Sequence, residues 1–304
     1  MELKSWPDID YNHIYHIGPF FFEALKQLRD SMFVSVITYN LEVSSNLSKS
    51  DLKALDDLDL TLLRKALLLS SKSSKHLIYL ETGILSIEFI LKKKRIMYYH
   101  NLLSSDDSSL SKKVLMAQIR DPKRTDWFKL VKRDLEDLNI QINPDEIVKF
   151  SKDSLKKKVR EACKNAFFNS LIAKKNKMSK GKEIKYKAFE TQTYLKGENN
   201  VPKEIQQKIM HLRIRDVPIK MNFPGAFEDR KCSASELCNS EETQSHIFSC
   251  YFLTSPNQVI ASDLKYENIF NNCVKTQESI TQIFFQRFQR LKQIISSRNS
   301  SGDQ

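Results

Sequence analysis

The sequence is poor in glycine, and this excludes several kinds of nucleotide site. Six glycines occur in 304 residues, whereas an average protein has about 7%. The Walker loop, the dinucleotide fingerprint and the nucleophile elbow all need closely spaced glycines. None of these patterns occurs in the sequence, so the enzyme classes that are built on them are not expected.

Cysteines and long apolar runs are also scarce. Five cysteines over this length do not indicate a disulfide framework. No apolar run reaches the roughly 20 residues that a membrane-spanning helix needs, and the N-terminal MELKSWPDID lacks the features of a signal peptide. About 40% of residues are hydrophobic, enough to bury a core. We therefore expect an intracellular protein with no membrane partner, located in the nucleus, the cytoplasm or both.

The net charge of +12 is concentrated in one segment. Residues 1–148 carry 21 basic and 21 acidic side chains, residues 149–187 carry 14 and 3, and residues 188–304 carry 14 and 13. A concentrated cationic segment can neutralise phosphates and release counterions. A well-solvated, lysine-rich helix face is the alternative, but the localisation of the charge favours nucleic acid.

The candidate nucleic-acid-binding residues also include the basic run 92–95 and Tyr186. Tyr98, Tyr186 and Tyr194 are interleaved with lysines, as expected where bases stack on aromatic rings, whereas Phe167 fits a core position. The candidates are Lys92, Lys93, Lys94, Arg95, Lys156, Lys157, Lys158, Arg160, Lys164, Lys174, Lys175, Lys180, Lys182 and Tyr186.

The hydrophobic spacing predicts a mostly α fold: a helical bundle, a basic helical connector and a small Cys/His zinc knuckle. Ser48 and Asp51 have the spacing of a capping box before a leucine-rich helix. Asn143 followed by Pro144 predicts another helix start. Apolar side chains that include Leu155 and Val159 recur on one face of the basic segment.

One set of residues has the chemistry of a metal site. Cys232, Cys238, His246 and Cys250 form a Cys-x5-Cys-x7-His-x3-Cys pattern. Thiolate and imidazole are the ligands that structural Zn²⁺ takes in tetrahedral sites, and residues four apart share one helix face. The five-residue gap is longer than the usual two to four, so buried thiols beside a surface histidine remain the alternative. The prediction is a structural Zn²⁺ without an open coordination position.

The paired acids do not make a convincing catalytic site. A two-metal polymerase or nuclease needs clustered carboxylates. Asp56, Asp57 and Asp59 are expected on the solvent face of a helix, and Asp106 and Asp107 in a serine-rich loop. No nucleophile, base and orienting group can be assembled from the sequence, so an autonomous enzyme is not expected.

An ordered series of short segments resembles the region after the polymerase core in LINE-type (non-LTR) retrotransposon reverse transcriptases. The series ends at a Cys/His cluster similar to that family's terminal zinc knuckle and covers most of the chain. The segments are YNLEV (39–43), LDDLD (55–59), LLRK (62–65), LIYLETG (77–83), KKKRIMYY (92–99), Gln118, DW (126–127), DLEDL (134–138), MSK (178–180), TQTYL (191–195), LRIR (212–215), Cys232, Cys238 and ETQSHIFSC (242–250).

The resemblance implies three units without the catalytic palm: a thumb-like helical unit (1–108), a basic connector (109–215), and a zinc knuckle with a C-terminal helix (216–304). The family's Tyr/Phe-x-Asp-Asp turn does not occur in this sequence. RNA, DNA and the polymerase core of the same element are the implied partners. A protein-interaction or non-functional helical remnant, and part of an enzyme completed by a separate palm, remain alternatives.

Overall fold

The computed structural model describes residues 21–121, 127–141, 143–178, 184–217, 231–232, 234, 238, 240–250, 266–270 and 273–301. Helices make up 71% of the structure, which confirms the prediction of a mostly α fold. Within these ranges no strand forms, and Lys231 and Glu241 make an isolated antiparallel bridge.

The α-helices are numbered in chain order. They are α1 (Phe21–Leu28), α2 (Val34–Ile37), α3 (Lys49–Ala66), α4 (Lys75–Thr82), α5 (Ile87–Leu103), α6 (Leu110–Arg120), α7 (Trp127–Asp137), α8 (Pro144–Ile147), α9 (Lys152–Asn176), α10 (Lys203–Arg213), α11 (Gln244–Ser249) and α12 (Val274–Ser301). A π-helical segment, Arg29–Phe33, joins α1 to α2, and short 3₁₀ turns lie at Leu41–Val43, Thr193–Leu195, Gly197–Asn199 and Tyr266–Phe270.

Local side-chain caps set where several helices begin. Ser48 and Asp51 form the predicted capping box at the start of α3. The backbone N–H of Asn143 donates to Glu146 Oε2 at 3.3 Å, which confirms the predicted start of α8. That helix lasts one turn, and the basic helix α9 begins separately at Ser151, whose Oγ accepts from the N–H of Ser154.

The 25-residue helix α9 passes through two hydrophobic cores. Its first half places Leu155, Val159 and Cys163 in a core with side chains of α5, α6 and α7. Its second half places Phe167 and Leu171 in a larger core that also contains side chains of α1, α3, α4, α10, α11 and α12. The larger core therefore takes side chains from all three segments that the sequence predicts, and the division at 108/109 and 215/216 stays a prediction.

Two buried arginine–aspartate pairs connect helices that are distant in sequence. Arg29 donates from Nε and Nη2 to the two carboxylate oxygens of Asp59, at 2.6 and 2.7 Å. Arg95 on α5 pairs in the same way with Asp134 on α7. The expectation that Asp59 faces solvent is wrong: its side chain is fully buried, because the guanidinium of Arg29 compensates its charge in the interior.

None of the described helices combines the length and apolar character needed to cross a membrane.

Candidate metal centre and basic surface

The four predicted metal ligands converge in space. The ligand atoms of Cys232, Cys238, His246 and Cys250 all lie within 4.8 Å of one another. Cys238 Sγ and His246 Nε2 are 3.3 Å apart, a separation expected for two donors that share one tetrahedral ion. The cluster could therefore hold a metal ion.

Local backbone geometry brings the ligands together across the long first spacing. The N–H of Cys232 donates to the carbonyl of Ser240 at 2.8 Å, beside the bridge between Lys231 and Glu241. These contacts close the loop that contains Cys238. Cys232 and Cys238 therefore reach the same point, although five residues separate them in the sequence.

Helix α11 supplies the other two ligands. Thr243 Oγ1 accepts from the N–H of His246 at 2.9 Å and caps the helix. His246 lies in the first turn and Cys250 is the C-cap, so the four-residue spacing puts both on one side. This is the arrangement that the sequence predicts.

The environment favours the ligand form of the histidine. Burial lowers the pKa of His246, against a smaller opposing effect of the Glu242 charge, so the imidazole is neutral near pH 7 and can ligate a metal. Burial is the largest of the causes that together raise the pKa of Cys232 to about 12; the hydrogen bond from the N–H of Ala234 opposes the shift, and the neighbouring sulfurs of Cys250 and Cys238 add to it. A metal cation among these sulfurs would stabilise their thiolate forms and offset the cost of burying the negative charge.

The cluster is closed and packed against the larger core. Cys232, Cys238 and Cys250 are 4%, 8% and 3% exposed and belong to that core. Arg287 on α12 donates from Nη1 to the carbonyl of Phe248 in α11. His246 is half-buried, and four protein ligands leave no open coordination position, so the site suits a structural ion better than a catalytic one.

Part of the predicted basic surface is committed to ion pairs. Lys92 Nζ lies 2.6 Å from Asp137 Oδ2 and 3.1 Å from Glu88 Oε1, and Arg95 pairs with Asp134. Lys175 is also buried. These side chains are turned inward, contrary to the phosphate-binding role predicted for them, because α5 and α9 pack their basic positions partly against neighbouring helices. They are not carried into the proposal below.

The remaining basic candidates keep access to solvent. Lys156, Lys157, Lys158, Arg160 and Lys174 are exposed on α9. On α5 and α9, Lys93, Lys94 and Lys164 are half-buried. Lys180 and Lys182 lie outside the described residues.

The aromatic candidates contribute mainly to the interior. Tyr194 is fully buried, so the expectation that it stacks on bases is wrong. Its hydroxyl, like that of Tyr186, donates to the carboxylate of Glu81. Tyr186 is half-buried, and its predicted contact with nucleic acid stays a prediction. Tyr98 packs edge-on against Trp127, with 5.6 Å between ring centroids.

Sequence reasoning missed one cation beside α9. Lys26 on α1 lies near Arg160 and Lys164: burial is the largest cause of its lowered pKa, Asp30 opposes the shift, and these two cations add to it. Lys26 is the one lysine or arginine of α1 and lies far along the chain from the basic segment. No local pattern could have placed it with α9.

Comparisons with models of protein families, with curated proteins and with solved structures found no match. The likeness to LINE-type reverse transcriptases therefore stays a prediction from the sequence.

Proposed function

We propose that this chain is a nucleic-acid-binding protein that corresponds to the C-terminal region of a LINE-type reverse transcriptase. It binds the phosphates of RNA or DNA through the lysine-rich segment 149–187, which contains the basic helix α9. A structural Zn²⁺ at Cys232, Cys238, His246 and Cys250 fixes the C-terminal part of the fold.

The exposed cations of α9 carry this proposal. Among the described residues, Lys156, Lys157, Lys158 and Arg160 form no ion pair. Exposed cations that make no direct ion pair attract polyanions, and each phosphate contact releases counterions. Since lysine contacts to phosphate read no base edges, the binding is expected to be largely independent of sequence.

Zinc is the ion that best suits the donor set. Three thiols and one imidazole match the Cys₃His class of structural zinc sites. Calcium and magnesium prefer oxygen ligands, and soft sulfur ligands disfavour them. The metal would replace part of the hydrophobic core that this small segment cannot build alone.

No catalytic step is assigned to this chain. Within the described residues, the Cys/His set is the one metal-ligating group whose atoms converge. Asp56 is used otherwise, because its Oδ1 accepts from the N–H of Ile87 at the start of α5. If the protein acts in reverse transcription, the carboxylates of a separate palm must supply the chemistry.

The test is salt-titrated binding of the purified chain to RNA and DNA. With about six phosphate contacts, log K is expected to fall by about five per tenfold rise in salt. Lys156→Gln with Lys157→Gln should weaken binding, whereas Lys49→Gln with Lys53→Gln, an equal charge loss on the exposed side of α3, should not. A slope near zero, or equal effects of the two pairs, would contradict the proposal.

A second candidate function, a protein-docking surface, rests on an exposed apolar stripe. Leu28, Met32, Val36 and Tyr39 are 39%, 63%, 61% and 74% exposed and are spaced three or four residues apart from α1 to the turn after α2. The expected partner is the polymerase core of the same element. Without that partner the stripe stays uncovered, and we expect the isolated chain to self-associate through it. Met32→Glu with Val36→Glu should abolish this self-association in sedimentation velocity. A wild-type chain that stays monomeric and binds no hydrophobic dye would count against this function.

A further inference from the structure

A cavity of about 420 Å³ lies between α1, α5, α9 and the segment 189–191. Lys26, Lys93, Lys94, Arg160 and Lys164 line it, and we call it the basic cleft. Its walls also include apolar side chains from α2, α5 and the segments around residues 84 and 189. The basic cleft therefore gathers its cations around a partly apolar cavity, instead of spreading them over a convex surface.

Several of these cations have no protein partner. Within the described part of the chain, Lys26, Lys93 and Arg160 make no ion pair. Lys94 Nζ donates to Thr38 Oγ1 at 2.7 Å, and Lys164 lies 3.3 Å from Glu161 Oε1 on the same helix. The positive charge of the cleft is therefore largely uncompensated.

The acids in the cleft wall, Asp30 and Glu190, offset only part of this positive charge. Asp30 Oδ1 lies 2.6 Å from Arg29 Nη1. Glu190 Oε2 lies 3.7 Å from Lys196 Nζ, which is not part of the cleft. Asp30 also raises the pKa values of Lys26 and Lys93, so it offsets part of their charge, but lysines and arginines still outnumber the acids that line the cleft.

The folded chain holds these cations together at a cost. Burial is the main cause that lowers the pKa of Lys93, and the charges of Arg160 and Lys156 add to it. The pKa of Lys26 is lowered in a similar way. Crowded cations without counterions destabilise a compact state, and such local conflicts are typical of functional sites.

The backbone around the cleft is also unusual. The π-helical segment Arg29–Phe33 places Arg29 and Asp30 in its wall, and π turns inside α-helices frequently mark functional sites. Opposite, the backbone at Glu190 approaches Gly83 so closely that an added Cβ would lie 2.4 Å from the Glu190 carbonyl carbon. The π-helical segment and the close approach at Gly83 are both unusual backbone arrangements, and both form part of the cavity wall.

We infer that the basic cleft binds the phosphates of a single-stranded nucleic acid. This inference deepens the proposed function and rests on it. A cavity of about 420 Å³ lies within the usual range of small-ligand sites, so it has room for about one nucleotide unit of a strand. A duplex is too wide to enter a cavity of this size, whereas a flexible single strand can bring one phosphate and its unpaired base to the cations and apolar walls.

Matched variants of the full chain separate the cleft from the general charge of α9. The cleft pair is Lys26→Gln with Lys93→Gln, and the control pair is Lys157→Gln with Lys158→Gln, exposed lysines that do not line the cavity. The probes are an oligo-dT strand of about 15 nucleotides and a duplex of similar length, titrated with salt.

The cleft pair is expected to weaken oligo-dT binding about tenfold or more and to leave duplex affinity within about twofold. The magnitude of its log–log salt slope with oligo-dT should fall by about 1.4, which is two phosphate contacts at about 0.7 each. The control pair should weaken both probes equally. If both pairs act equally on both probes, the cleft inference is wrong and the proposed function stands. If wild type binds neither probe at low salt, the proposed function itself fails.

Lysine acetylation of the wild-type chain gives a second readout that needs no variant. Oligo-dT should protect Lys26 and Lys93 from acetylation, as mapped by mass spectrometry, and duplex should not. Unprotected lysines in the presence of saturating oligo-dT would overturn the inference.

Discussion

Arg213 and Glu81 form an ion pair in the centre of the larger core. Arg213 Nε lies 3.0 and 2.9 Å from the two carboxylate oxygens of Glu81, and the two side chains are 1% and 0% exposed. Arg213 Nη1 also donates to the carbonyl of Ile269 at 3.0 Å. The pair thereby connects α4, α10 and the 3₁₀ turn before α12, segments that are far apart in sequence.

Breaking this pair should destabilise the chain strongly. Glu81→Gln leaves the guanidinium of Arg213 buried without a counterion and disturbs the hydroxyls of Tyr186 and Tyr194, which donate to Glu81. The expected loss in the free energy of unfolding is about 3–5 kcal/mol, measured by urea denaturation. Glu190→Gln, at an exposed pair with Lys196, should cost less than about 1 kcal/mol. Equal losses would show that the buried pair has no special role.

Removing one metal ligand should remove the metal. For the proposed zinc site, we expect one zinc ion per wild-type chain and none in Cys250→Ser, measured by elemental analysis, and a lower Tm for the variant because metal binding would contribute to folding. Cys273→Ser changes an exposed cysteine outside the cluster and should keep both metal and Tm. Wild-type protein without metal would reduce the cluster to a group of buried thiols.

The pKa of Asp56 makes stability depend on pH. Burial raises this pKa to about 6, the hydrogen bond from Ile87 opposes the shift, and the charges of Asp59 and Glu88 add to it. Since the folded state holds the proton more tightly than the unfolded state, this group's contribution to stability falls as pH rises from about 4 to 6.

Asp56→Asn should remove that dependence while keeping an oxygen acceptor for Ile87. We expect the variant to be more stable than wild type by about 1 kcal/mol at pH 7, allowing for solvent screening, and to match it near pH 4. Thermal denaturation across this pH range is the measurement. Asp57→Asn, at the exposed neighbouring position, should change little. A less stable Asp56→Asn variant at pH 7 would mean that the bond to Ile87 outweighs the burial of charge.

Gly83 should tolerate no side chain. It has a positive φ of 63° at the C-cap of α4, and an added Cβ would meet the backbone of Glu190 and Thr191 at 2.4 Å. Gly83→Ala is expected to cost more than about 2 kcal/mol in urea denaturation. Asn139→Gly, at another positive φ, relieves local strain and should be close to neutral. A mild effect of Gly83→Ala would show that the segment 190–191 can move away.

Features that depend on neighbours in sequence could be predicted well. The cap at Ser48, the helix start at Pro144 and the spacing of His246 and Cys250 all rest on interactions within one helical turn. The apolar face of α9 followed from its periodicity in the same way. These contacts form whatever the rest of the chain does, so a local pattern contains the information.

Features that depend on partners far away in the sequence could not be predicted. Asp59 looks solvent-facing on its own helix, and only the approach of Arg29 explains its burial. Lys92 and Arg95 read as part of a basic run, yet their partners lie on α7. The basic cleft likewise needs Lys26 and Arg160 to meet across two helices, and no spacing rule brings them together.

The position of the Cys/His cluster has a consequence for how the folded population is controlled. Cys232, Cys238 and Cys250 belong to the same core as side chains of α4 and α10, so the free energy of binding the proposed zinc ion would add to the stability of that whole core. Above the dissociation constant, each tenfold change in free zinc shifts the folding equilibrium by about 1.4 kcal/mol. The fraction of folded chains would then follow the zinc available in its surroundings.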